Sequence, residues 1–171
     1  MPVKARLASF NRAELLALVQ SLYAASRDNQ AFLHTRLDLG SDPIAPYKET
    51  ISRWVQPDVY KGQDYSITKA KKAISDYRKA VGRLEGMAEL TVFYCERAAG
   101  FSCEVGMDDE TYLGALVRMF EQAVIAISAL PSAQQGPLWG RLEVVRDRCR
   151  AIGYGVTDNI AELFAEHRGD D

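Results

Sequence analysis

Between Lys61 and Arg83 the chain carries seven basic residues, Lys61, Lys69, Lys71, Lys72, Arg78, Lys79 and Arg83, against two acids, Asp64 and Asp76. At about 100° per residue, Lys69, Lys72, Lys79 and Arg83 fall on one flank of a helix, opposite a stripe that includes Tyr77. Such a row can neutralise phosphates or meet an acidic protein surface. The plainer reading is the solvated outer face of an amphipathic helix. Acidic complements stand at Asp108 to Glu110 and between Asp158 and Asp171, so the row can also face its own chain or a second copy. In all, 21 Lys and Arg stand against 23 Asp and Glu. No global polyelectrolyte character points to nucleic acid, and no recognised nucleic-acid motif accompanies the row.

Other chemistry-bearing residues are sparse. Gly153-Tyr154-Gly155 has the look of a ligand loop, but a phosphate cradle needs a preceding strand and a following Lys-Ser/Thr pair. The same residues serve as a hinge, with Gly153 left-handed just past one helix and Thr157 or Asp158 capping the next. Tyr154 on such a turn is also displayed for a partner. The two histidines, His34 with Asp38 four residues on and His167 near Glu162 and Glu166, form neither an HExxH nor a Cys/His cluster, so no metal is expected. Cys95, Cys103 and Cys149 are odd in number and lack CxxC spacing, which fits a reducing compartment. Cys95 and Cys103 lie on the most apolar segment and read as small hydrophobes. Asp108, Asp109 and Glu110 suit a helix first turn. Glu89, Glu96 and Glu104 share one helix with Arg97, and any of them buried with a partner would have a perturbed pKa. No catalytic residue and no cofactor is assigned.

The elements that must position these groups are helical. In "FNRAELLALVQSLY" Asn11 and Glu14 make a capping box, and Phe10 can staple onto Leu15. Leu15, Leu18, Val19, Leu22 and Tyr23 then predict one buried stripe. A short helix follows, started by Asp28 and stopped at Gly40, and a third opens at Asp42-Pro43 with Tyr47, Ile51, Trp54 and Val55 on one face. After an irregular stretch at 56–65 holding Tyr60 and Tyr65, Ser66 starts a helix with Ala70, Ala73, Ile74, Tyr77, Val81 and Leu84 inward. Residues 85–105 are apolar on more than one side and predict a central helix. Further helices run from Asp108 to about Leu130, along Leu138, Leu142, Val145, Cys149 and Ile152 after a "PSAQQGP" loop, and over Ile160, Leu163 and Phe164. No segment alternates with period two. The expectation is an all-α chain of about eight helices in antiparallel helical hairpins, an irregular helical-repeat-like stack. Helix starts at Ser66 and Asp108 lie 42 residues apart, near the period of helical-hairpin repeats. One domain spans 1–171, with a three-helix part at 9–56 and a hairpin part at 66–168.

The longest nearly apolar run, "AVIAISAL" at 123–130, is too short to span a bilayer. Arg12 and Glu14 interrupt any signal-peptide apolar region. A soluble, cytoplasmic protein is expected.

The runs "ITKAKKAISDYRKA" and "ELTVFYCERAAGFSCEVG", the late "IGYG-x-x-D" and the early "ELLALVQSLY" together resemble bacterial domain-of-unknown-function family 6155. That resemblance implies an all-helical bacterial protein and carries no catalytic residues. Relatives place a His before the Asp of the last motif. Here Thr157 precedes Asp158, which removes any role resting on that imidazole.

Three functional expectations follow in order. The first is a non-enzymatic helical protein-interaction module, with an unknown protein or a second copy as partner. It would use the basic flank (Lys69, Lys72, Lys79, Arg83), Asp158 and the aromatic positions Trp54, Tyr60, Tyr65, Trp139 and Tyr154. Nucleic-acid binding through the basic helix at 66–83 comes second, and a carboxylate enzyme built on Glu96 or Asp158 third.

Overall fold

A computed structural model describes residues 2–168 of the 171. The described residues are all-α, with nine helices, one 3-10 turn at Val59–Lys61 and no strand. They form two compact units that divide between Pro43 and Ile44.

The first unit holds α1 (Pro2–Leu7), α2 (Arg12–Ala25) and α3 (Arg27–Arg36). The capping box that opens α2 is present: Asn11 Oδ1 accepts from the Glu14 amide at 3.0 Å, and Glu14 Oε2 accepts from the Asn11 amide at 2.7 Å. Ser26, not Asp28, starts α3. Its backbone is extended, and its hydroxyl oxygen accepts from the Asn29 amide. A single extended residue therefore turns α2 into α3. The helices pack on each other, and Asn29 Nδ2 donates to the Leu22 carbonyl at 2.6 Å. Gly40 lies past the end of α3, which stops at Arg36.

The stripe expected to be buried on α2 is not. No residue of α2 is buried, and Leu15, Leu16, Val19, Leu22 and Tyr23 are 38–55% exposed. Two short helices at a tight corner cover only one side of each other, and the helical period cannot say whether a third element exists to cover the rest.

The second unit stacks helices in layers. In one, α4 (Ala45–Val55) packs on α6 (Leu84–Val105) and α6 on α8 (Ser132–Cys149). In the other, α7 (Glu110–Ser128) packs on α9 (Val156–Arg168), while α5 (Ile67–Ala80) lies against α4 and α6. Consecutive helices pack pairwise throughout, and α5, α7 and α9 open 43 and 46 residues apart. This is the period of a helical-hairpin stack.

Side-chain pattern explains the layers. α6 is buried over most of its circumference, from Leu90 and Val92 to Tyr94, Cys95, Ala99 and Phe101, and open along a strip at Glu89, Phe93, Glu96 and Arg97. Its buried hydroxyls, Thr91 and Ser102, donate to carbonyls one turn back in the same helix. α7 starts where Asp109 accepts from the Tyr112 amide at 2.9 Å, and buries Leu113, Leu116, Phe120 and Val124. The buried Tyr112 hydroxyl donates to the Val55 carbonyl at the end of α4. On α4 the buried face is Tyr47, Ile51 and Val55; Trp54 is half-buried. That helix begins at Ala45, with Pro46 in its first turn, rather than at Asp42-Pro43. Proline suits a first turn because its missing N–H has no partner there.

Two further boundaries differ from expectation. Leu84 does not end α5 but opens α6, and is 53% exposed. "SAQQGP" is not a loop: α8 starts at Ser132 and runs through Pro137. Pro137 forfeits one backbone bond. Burial of Trp139, Leu142, Val145 and Cys149 beyond it outweighs that loss, as tertiary packing often overrides propensity. Gln135 adds a bond from Nε2 to the Leu130 carbonyl, 2.8 Å, closing the end of α7.

Candidate interaction surfaces

In the first unit the surface is the open side of the α2–α3 pair. Between Glu14 and Arg27 the sequence has no charged residue. Its apolar side chains Leu15, Leu16, Val19, Leu22 and Tyr23 are exposed, as are Phe32 of α3 at 41% and Leu37 and Leu39 just beyond it. Polar groups on this hairpin are largely satisfied within it. The Tyr23 hydroxyl bonds His34 Nε2 at 2.9 Å with the rings stacked, and the Ser21 hydroxyl donates to the Ala17 carbonyl. The Thr35 hydroxyl, the buried side chain of α3, donates to the Ala31 and Pro43 carbonyls. Apolar surface is what remains to be covered.

In the second unit the α4–α6–α8 layer carries a ladder of charge. Lys48 on α4 pairs with Glu89 on α6 at 2.7 Å. Arg141 on α8 bonds Glu89 through Nη1 and grips Glu96 through Nε and Nη2, both at 2.8 Å. All four side chains are a fifth to a third exposed. Burial pushes the Glu89 carboxyl up, but hydrogen bonds and charge from Arg141 and Lys48 outweigh it and leave its pKa below the ordinary carboxylate range. Arg141 is held protonated chiefly by its bonds to Glu96.

Beside this ladder a groove of about 330 Å³ opens between α6 and α8 near the end of α4, lined by Gln56, Glu96, Arg97, Gly100, Glu104 and Arg148, among others. Gln56 Nε2 donates to Glu104 at 3.4 Å, and Arg97 lies over the Phe93 ring. A carboxylic acid that donates protons near neutral pH needs a raised pKa. Glu89 is shifted the opposite way, and both Glu96 oxygens accept from Arg141. Asp158 is exposed on α9 and does not line the groove, so Glu96 and Asp158 are not brought together.

The basic flank is dispersed. Lys72 pairs with Asp76 one turn on, and Lys79 approaches Asp76 at 4.0 Å. Lys69 Nζ lies 3.9 Å from the centre of the Trp54 ring, on which Arg53 also stacks. Arg83 falls past the end of α5, as the residue before α6. Of the acids expected to face this row, Asp170 and Asp171 lie outside the described residues.

Of the aromatic positions, Tyr60 is fully exposed and Tyr154 is 62% exposed. Of the other three, Trp54 is half-buried under Arg53 and Lys69, and Tyr65 and Trp139 are structural. Tyr65 is half-buried, its hydroxyl donating to Asp109 at 2.7 Å and its ring edge-on to Tyr112. Trp139 is buried in α8, edge-on to Phe164. The Gly-Tyr-Gly hinge is also built differently: Tyr154 and Gly155, not Gly153, take the left-handed conformation. Thr157 locks it by sharing its hydroxyl between the Cys149 and Ile152 carbonyls, both at 2.9 Å.

The thiols differ. Cys95 and Cys149 are buried, and burial raises both, Cys149 to about 12. Cys103, expected inside, is exposed. His34 is half-buried and His167 exposed. Among the described residues no group of three or more His, Cys, Asp or Glu is placed to hold a metal ion, and no helix is long and apolar enough to cross a membrane.

Lys48 and Arg141 escaped sequence reading, since nothing local connects residues 41 to 52 positions apart. The seven-residue spacing of Glu89 and Glu96 was the available signal. Compared with known protein families, curated proteins and solved structures, the chain has no match.

Proposed function

We propose that this chain is a non-enzymatic helical protein-interaction module whose docking surface is the open face of the α2–α3 hairpin. The observation that carries this reading is α2 itself: fourteen residues, none buried, with Leu15, Leu16, Val19, Leu22 and Tyr23 at 38–55% exposure. Contiguous apolar surface of this kind marks interaction sites. The layered second unit, cross-tied by Lys48, Glu89, Arg141 and Glu96, serves as its anchor. Three free thiols suit a reducing compartment, so we place the protein in the cytoplasm. Kinship with bacterial family 6155 is likewise our proposal, and it brings no activity to transfer.

The test is co-purification of tagged wild type beside a Leu15→Asp/Leu22→Asp variant. The wild type is expected to retain a stoichiometric protein, a second copy included, which the variant loses at unchanged helical content. Identical retention by both would overturn the reading.

A further inference from the structure

We propose that the groove between α6 and α8 binds a small zwitterion, a free α-amino acid with an aliphatic side chain, its carboxylate held by Arg97 and Arg148 and its ammonium by Glu104. The site belongs to the second unit and does not depend on the docking face of the first.

Helical spacing builds it. On α6, Arg97, Gly100 and Glu104 follow one another at three and four residues and so share one face, and on α8 Val144 and Arg148 do the same. Gln56, at the end of α4, adds a side-chain amide. The volume of about 330 Å³ lies at the small end of small-molecule sites, which run from about 300 to 1,000 Å³. Gly100 leaves room between the helices. A Cβ added there would come within 3.2 Å of Arg148 Nη1, so the Arg148 guanidinium reaches α6 where a larger residue would stand.

Charge pairing singles this groove out. Of the arginines at 141, 146, 148 and 150, Arg141 pairs with Glu89 and Glu96, Arg146 with Glu143 and Asp147, and Arg150 with Asp147. Arg148 has no ion pair among the described residues. Nor has Arg97, which lies over the Phe93 ring at 4.9 Å from its centre. Glu104 likewise lacks a cationic partner among the described residues and accepts from the neutral Gln56 amide at 3.4 Å. Glu96 is already answered, since both its oxygens accept from Arg141.

Two guanidiniums and one carboxylate therefore line a single groove without closing on each other. A plain anion gains from the guanidiniums but is repelled by Glu104, and a plain cation meets the reverse. A ligand that carries both charges is opposed by neither. Planar guanidiniums suit a carboxylate, which they can grip through paired N–H donors. Val144, 58% exposed in the groove wall, offers apolar surface to an aliphatic side chain.

The test is titration of the full 15N-labelled chain with L-valine, read from the backbone amide signals of Gly100 and Arg148. Saturable shifts are expected with a dissociation constant of about 1 mM, since exposed ion pairs are individually weak. Arg97→Gln/Arg148→Gln should weaken valine at least about tenfold. Glu104→Gln should also weaken valine, and should tighten acetate by removing the repelling carboxylate. All three side chains are exposed, so the variants are expected to melt like the wild type. The absence of saturable shifts at millimolar valine overturns the proposal, as does valine binding that both variants leave unchanged. Acetate or inorganic phosphate binding the wild type as tightly as valine overturns it too, because the groove would then answer to anions without regard to Glu104.

Discussion

Tyr94 is fully buried in α6, and its hydroxyl has no hydrogen-bond partner among the described residues. Burial raises its pKa far above the ordinary phenol value. A stranded polar group is a standing cost, so Tyr94→Phe is expected to stabilise the protein by about 1 kcal/mol. In a chain of this size that appears as a rise of about 2–4 °C in melting temperature; a fall would mean that the hydroxyl has a partner. Glu89 behaves in the opposite way. Its folded pKa lies below the ordinary value, so its contribution is present above the unfolded carboxylate pKa and is lost as pH falls through the folded one. Glu89→Gln is therefore expected to cost about 1–3 kcal/mol near neutral pH, because Lys48 and Arg141 lose their shared acceptor. Chemical denaturation of the two proteins should converge as pH drops below the carboxylate range. A gap that stays constant down to acid pH would show that the ion pairs are not its source. None of this pairing could be read from the sequence, since the ladder joins residues on three helices. What could be read at this scale was local, such as Asn11 with Glu14.

Helix packing sets the outcome of glycine substitutions. Glycine inside a helix ordinarily costs roughly 0.5–1 kcal/mol against alanine. Gly86 on α6 reverses that expectation, because an added Cβ would fall 2.0 Å from the Tyr77 hydroxyl oxygen and 2.3 Å from the ring carbon beside it. Tyr77 is buried and edge-on to Tyr47, so it cannot yield. Gly86→Ala is expected to destabilise by about 1–3 kcal/mol. At Gly100 the nearest atom to an added Cβ is the Arg148 guanidinium at 3.2 Å, the movable end of a flexible side chain. Gly100→Ala should leave stability unchanged or raise it by up to about 1 kcal/mol. Melting of the pair checks both, and equal effects would contradict the geometry. Element-level reading succeeded where periodicity and caps agree: α5 starts at Ser66, α6 is central, and the whole is helical. It erred at Pro137, where a local breaker met a buried stripe of greater weight, and at α2, where an apolar period says which side faces away from water but not what covers it.

At the scale of the molecule, the chain comprises a layered helical stack with its core in α6 and α7 and a hairpin with almost no core of its own. The buried core belongs to the stack, whereas the hairpin buries only Thr35 among its described residues. Composition gave no hint of this division, because apolar residues count equally whether covered or open. The most direct measurement is amide hydrogen exchange across residues 12–36 in the chain alone at high dilution and in the chain with its co-purified protein. If the α2–α3 face is a docking surface, α2 exchanges fast in the dilute chain and is protected by the partner, while protection of α6 and α7 stays fixed. Exchange in α2 that is already slow in the dilute chain, or unchanged by the partner, would contradict the claim.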